Sequence, residues 1–222
     1  MRIFPLGDNA VTVEFGNEIS LELNRKAIAL SEHFESNPFP GLIETVPAYS
    51  STTIFFEPVK VRDAHIGCRT ACEAVSLIVE TASAEIPDKV ETDRATVEIP
   101  VIFNSAASLD LDEVCKFAGL DADAVVYTFL KRIYRVFMIG FLPGFAYMGE
   151  VDDRIAIARK QSPRLKVPAG SVGIAGKQTG IYPLESPGGW QILGRTELKM
   201  FDPNSDPSCP LRPGDRVKFV RA

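Results

Sequence analysis

The chain has 222 residues, of which 45% are hydrophobic, and a formal net charge of -5. This length permits one sizeable core or two modest ones. The acidic balance argues against nucleic acid or an anionic membrane as partner, because either favours a basic face.

No apolar run approaches the ~20 residues a membrane span requires, and the opening MRIFPLGDNA lacks the basic and apolar regions of a secretory signal. The expected setting is soluble and cytoplasmic. In chain order, residues 10–15 alternate as a strand does. Ser20 is suited to cap a helix through His33, ended by the SNPFPG turn at residues 36–41 because proline removes a backbone donor and restricts its predecessor. Two β-rich runs follow, at 43–48 and 52–56. A second helix, capped near Asp63 and running to about Ser83, would put Ile66, Ala74, Val75, Ile78 and Val79 on one apolar face. These elements make a small α+β domain of the split βαβ kind. His65, Cys68 and Cys72 would share a face of that helix, but with no fourth ligand nearby they read as packing residues, and no metal is expected. The four cysteines show no paired framework and are expected to be reduced.

A polar stretch at residues 86–94 marks the boundary, giving domains at 1–92 and 93–222. The second opens with a strand at 96–103. Two short helices follow, the first capped by Ser108 or Asp110 and running through Phe117, the second capped by Asp121 and running to about Lys131. From Tyr134 onward, short β runs separated by Gly and Pro signal a barrel, closed by the strand in PGDRVKFV. The fold class is therefore an α+β domain followed by a mainly β barrel domain.

Function is expected in residues 141–195. Glycine and proline are dense there, which costs backbone entropy unless tight turns and close approach to a ligand require it. Between residues 154 and 184 there are six basic residues, Arg154, Arg159, Lys160, Arg164, Lys166 and Lys177, and no acidic one. Such a run favours a carboxylate or phosphate ligand. The run GSVGIAGKQT at residues 170–179 misses the P-loop spacing by one residue and has Gln178 where the hydroxyl belongs. Ser171 lacks the G-x-S-x-G context, and both histidines, His33 and His65, lie in the first domain, so no local Ser-His pair exists. An acid or base in this segment must come from Glu150, Asp152, Asp153, Glu185, Tyr147, Tyr182, Lys166 or Lys177. Trp190, the sole tryptophan, either walls a pocket or anchors the core.

The strings GFLPGFAYM, PRLKVPAGSVGIAGKQTGIYPLESPGGWQILGRT and LRPGDRVKFV resemble the family of the B subunit of 5-oxoprolinase, also called allophanate hydrolase subunit 1, which includes the sporulation kinase inhibitor KipI. The match is strongest over residues 134–222. The resemblance implies a cyclophilin-like barrel and work beside partner subunits A and C, which with ATP cleave 5-oxoproline to glutamate. A non-catalytic inhibitor of a histidine kinase is the alternative it allows. Matching motif positions nominate Phe141, Pro143, Gly144, Tyr147, Arg164, Pro168, Gly170, Ser171, Gln178, Thr179, Tyr182, Gly188, Gly189, Trp190 and Arg195 as substrate-binding residues, with the catalytic residues unassigned. Arginine side chains and loop amides would hold carboxylate or phosphoryl oxygens, while Gln178 and Tyr182 orient the substrate amide. One departure stands out: Phe129, five residues before Tyr134, replaces a usual family histidine. It marks either a missing catalytic group or a core substitution.

Overall fold

The computed structural model describes residues 1–86, 94 and 96–222. The chain forms two compact units, Met1–Asp93 and Arg94–Ala222; the expected boundary near residue 92 lies outside the described residues.

In the first unit, β1 (Arg2–Pro5), β2 (Ala10–Glu14), β3 (Leu42–Pro47) and β4 (Ser51–Phe56) form an antiparallel sheet in the order β1-β2-β4-β3. Because β4 lies antiparallel between β2 and β3, those two strands and the intervening α1 (Leu21–Ser36) are a split βαβ unit. Period-2 alternation turns Thr52, Ile54 and Phe56 inward. Ile54 and Phe56 share a core with Leu30 and Phe34 of α1.

The single helix expected from Asp63 to Ser83 is instead two, α2 (Pro58–Ala64) and α3 (Ala71–Glu85). Proline at the first position starts α2, where its missing N–H costs nothing. Thr70 starts α3 afresh: its side chain accepts the Glu73 N–H at 3.0 Å, and the Glu73 carboxylate accepts the Arg69 N–H at 2.8 Å. Ile66, expected on a buried face, is consequently 89% exposed. His65, Cys68 and Cys72 are separated by the break rather than aligned on one helix. Among the described residues no helix is long and apolar enough to cross a membrane.

The second unit is mainly β. After β5 (Thr96–Val101) come α4 (Leu111–Ala118) and α5 (Ala122–Leu130), then β6 (Ile133–Ile139) and β7 (Ala146–Gly149). The short strands β8 (Arg164–Val167) and β11 (Ser186–Gly188) pair separately. β9 (Ser171–Ala175), β10 (Gln178–Ile181), β12 (Gln191–Arg195) and β13 (Arg216–Arg221) complete a seven-stranded sheet ordered β12-β9-β10-β7-β6-β13-β5. Its two ends meet just beyond β5. There Ile102 exchanges backbone hydrogen bonds with Arg195 at 2.8 and 3.1 Å, so the sheet is a nearly closed barrel.

The barrel core gathers Ile99, Val136, Met148, Val172, Leu193 and Val217, with Phe129 of α5. Phe129 is fully buried, stacked on Phe219 at 5.0 Å between ring centres and tilted against Tyr134 at 5.1 Å. The Tyr134 hydroxyl donates to the Phe129 carbonyl at 2.8 Å. Position 129 thus belongs to the interior of the barrel.

Candidate functional site

A second, smaller apolar cluster forms where β7, β8, the end of β9 and the segment 182–192 meet. Phe145, Val167, Tyr182, Trp190 and Ile192 are its buried members. Phe145 stands at the centre, with ring centres 4.7 Å from Tyr147, 5.2 Å from Tyr182, 5.4 Å from Trp190 and 5.6 Å from Phe141. Most of these pairs meet edge to face, the arrangement favoured by ring quadrupoles. Trp190 does both things considered for it: it is 6% exposed and packed in the cluster, yet it lines the cleft above it.

That cleft has a volume of about 390 Å³. It is lined by the aromatic residues Phe141, Phe145, Tyr147, Tyr182 and Trp190, by Pro163, Pro187, Gly188 and Gly189, and by the polar residues Arg159 and Gln178. Phe141 has φ of 69°, a left-handed conformation rare for a bulky non-glycine residue and characteristic of functional loops. Gly188 is required by close approach, since a Cβ there would collide with the Tyr182 hydroxyl and lie 2.8 Å from its ring. Burial raises the pKa of both the Tyr147 and Tyr182 hydroxyls, with the nearby Arg159 charge opposing the shift in each case. Both are therefore neutral hydrogen-bonding groups at ordinary pH.

Seven nominated residues come together here: Phe141, Tyr147, Gln178, Tyr182, Gly188, Gly189 and Trp190. The others serve nearby structure. Gly144 and Gly170 have φ of 82° and 79° and sit so close to the carbonyls of Met200 and Thr196 that a side chain would not fit. Pro143 and Pro168 lie in the loops that carry these turns. Ser171 is buried in β9, and the Thr179 hydroxyl donates to the Gly173 carbonyl at 2.9 Å. Arg195 closes the barrel through its backbone. The run at residues 170–179 is the β9–β10 hairpin, so no helix follows it to present a phosphate-binding N-terminus.

Arg164 is engaged elsewhere. It forms a two-pronged ion pair with Asp110, at 2.7 and 2.6 Å. Asp110 is 3% exposed and also accepts Lys160 Nζ at 2.8 Å and the Ile192 N–H at 2.8 Å. Burial opposes its ionisation, but hydrogen bonds from Arg164, the Ile192 amide and Lys160 outweigh that and hold its pKa below the ordinary value. This network ties the start of α4 to β8 and β12. Asp110 occupies the expected cap position, but its carboxylate makes no capping hydrogen bond.

The other basic residues of the run are also paired, Arg159 excepted. Arg154 meets Asp152 at 2.9 Å, Lys166 meets Glu185 at 3.2 Å, Lys177 meets Asp153 at 2.8 Å, and Lys160 adds Glu113 at 2.7 Å. Of the candidate acids and bases, only the two tyrosines line the cleft. Four lining residues escape nomination from sequence: Phe145, Arg159, Pro163 and Pro187. Phe145, Pro163 and Pro187 lie inside the family-like motifs, and Arg159 is one of six basic residues that sequence alone does not rank.

Residues 1–211 match the family model "Carboxyltransferase domain, subdomain C and D". The chain is 44% identical over 222 residues to the B subunit of 5-oxoprolinase from Bacillus subtilis, covering 99% of this chain and 92% of that protein. It is 35% identical to the B subunit of 5-oxoprolinase from Escherichia coli O157:H7, covering 99% and 95%. The crystal structure of TTHA0988 superposes with a TM-score of 0.83 at 37% identity, covering 96% of this chain. The chain spans about 40% of the length of that longer protein. The chain therefore belongs to the carboxyltransferase subdomain C and D family and, within it, to the family of 5-oxoprolinase B subunits.

Proposed function

We propose that this protein is a cytoplasmic component of an ATP-dependent 5-oxoprolinase, acting with partner subunits A and C to cleave 5-oxo-L-proline to L-glutamate, and that the aromatic cleft is its substrate site. The observation that carries the reading is the near full-length, 44% identity to a protein named as the B subunit of 5-oxoprolinase. The chemistry of the cleft supports it. A five-membered lactam offers a compact ring with an apolar CH2 edge, which suits a lining of Phe145, Tyr147, Tyr182 and Trp190. Its amide offers a donor and an acceptor, which the carboxamide of the lining residue Gln178 can match.

A partner is supported by the longer chain of TTHA0988, in which a region like this one is joined to further sequence. The hairpin made by residues 170–179 does not fit a Walker-type phosphate loop, so no step involving ATP is assigned to it.

The test is reconstitution. This chain mixed with its A and C partners should release glutamate from 5-oxoproline only when ATP is supplied, and Gln178→Ala should lower kcat/KM about tenfold, the loss of one substrate hydrogen bond. No turnover with authentic partners would reject the reading of this chain as part of the enzyme. Unchanged kcat/KM in Gln178→Ala and in Tyr182→Phe would remove the cleft from the reaction.

A further inference from the structure

The basic run at residues 154–184 divides into two classes. Arg154, Lys160, Arg164, Lys166 and Lys177 each face a carboxylate within 3.2 Å. Arg159 has no hydrogen bond or ion pair among the described residues, is exposed, and lines the cleft. Its Nε lies 3.7 Å from the position a Gly189 Cβ would take, so the side chain lies against the bare backbone just after β11. Its charge reaches the hydroxyls of both Tyr147 and Tyr182. No lining residue is acidic. The cleft therefore holds one uncompensated positive charge beside five aromatic rings and one carboxamide.

We infer that Arg159 is the specificity-determining residue of this cleft, holding the carboxylate of a small monoanionic ligand, and that the nucleotide of the reaction binds elsewhere. The inference rests on the proposed function for the identity of the ligand and for the reaction's having a nucleotide. A guanidinium recognises a carboxylate through two parallel N–H donors, and one such group balances one negative charge. A triphosphate carries several, and the neighbouring lysines and arginines that would balance them are already paired with Asp110, Glu113, Asp152, Asp153 and Glu185. The apolar walls exclude water from one side of the ion pair, which strengthens it relative to a fully solvated one. Arg159 would thus separate an acidic lactam from a neutral one of the same ring.

The sole tryptophan is in the wall, so fluorescence of the full chain reads occupancy directly. Titrations would use 5-oxoproline, its neutral ring analogue 2-pyrrolidinone, propionate and ATP, with calorimetry repeating them on the complex with its partners. The expected result is that Arg159→Gln weakens 5-oxoproline at least tenfold and leaves 2-pyrrolidinone unchanged, that Arg159→Lys recovers part of the loss, and that ATP neither alters Trp190 emission nor competes. Equal 5-oxoproline affinity in wild type and Arg159→Gln would overturn the inference, as would displacement of the ligand by ATP or absence of any carboxylate binding in chain and complex alike. Arg159-dependent binding of propionate without binding of 5-oxoproline would leave the inference standing and reject the 5-oxoprolinase reading instead.

Discussion

Arg159 and Arg164 are five residues apart in one glycine- and proline-rich segment, and they lead opposite lives. Arg164 is locked to Asp110 beneath α4, whereas Arg159 projects along the Gly189 backbone into an open cleft. A charge whose partner is built into the fold contributes to stability; one without such a partner is available to a ligand. The sharpest way to break this contrast is to remove Asp110. Asp110→Ala leaves the half-buried Arg164 without its carboxylate and Lys160 with Glu113 alone, and should cost about 3 kcal/mol, read as a lower denaturant midpoint at constant slope. Acid should act in the same direction. The folded pKa of Asp110 is below its unfolded value, so its contribution is complete above roughly pH 4 and is lost as pH falls through the folded pKa. In Asp110→Asn that part of the acid dependence should vanish. A wild-type acid limb in this variant would mean that other carboxylates dominate.

The next effect concerns Phe129. Histidine at this position would lose the stacking on Phe219 and bury an imidazole whose polar atoms face an apolar core, at a cost of about 2 kcal/mol. Because position 129 does not line the cleft, Phe129→His should not raise turnover in the reconstituted complex. A gain of activity would place the chemistry in the barrel interior instead.

A smaller effect is expected at the cleft itself. Gly188→Ala pushes a methyl group toward the Tyr182 ring, and moving that ring should cost about 1 kcal/mol of stability. It should weaken ligand binding more visibly, because Tyr182 is part of the wall. Loss of stability with unchanged ligand affinity would show that Tyr182 only supports β11.

The same contrast between local and distant partners decides what sequence can reveal. Local signals suffice for β4, whose alternation is intact, and for α5, where Asp121 accepts the Ala124 N–H at 2.8 Å as its position promises. The division of α2 from α3 is legible too, in the T-x-x-E spacing of Thr70 and Glu73, but a continuous apolar periodicity masks it. At the cleft, the Gly and Pro motifs locate the segment, and seven of its nominated residues line the pocket. The division of labour among the basic residues is not legible. Arg164 and Lys160 find Asp110 and Glu113 some fifty positions away in the chain, and the partners of the other three, Asp152, Asp153 and Glu185, fall just outside residues 154–184, so a count confined to that run sees positive charge that folding has already neutralised.

The smallest expected effect is the most discriminating. Arg159→Gln removes a charge that no described residue pairs with, so it should change unfolding free energy by no more than about 0.5 kcal/mol, the range of ordinary surface substitutions. Arg164→Gln, five residues on, leaves the buried Asp110 with one cation fewer and should lower stability several times more. Measured side by side, the pair separates a structural arginine from a ligand-facing one without knowledge of the ligand. Comparable destabilisation in both would mean that the Arg159 charge is anchored by the fold after all, and a cleft with no free cation would hold neutral lactams as well as acidic ones.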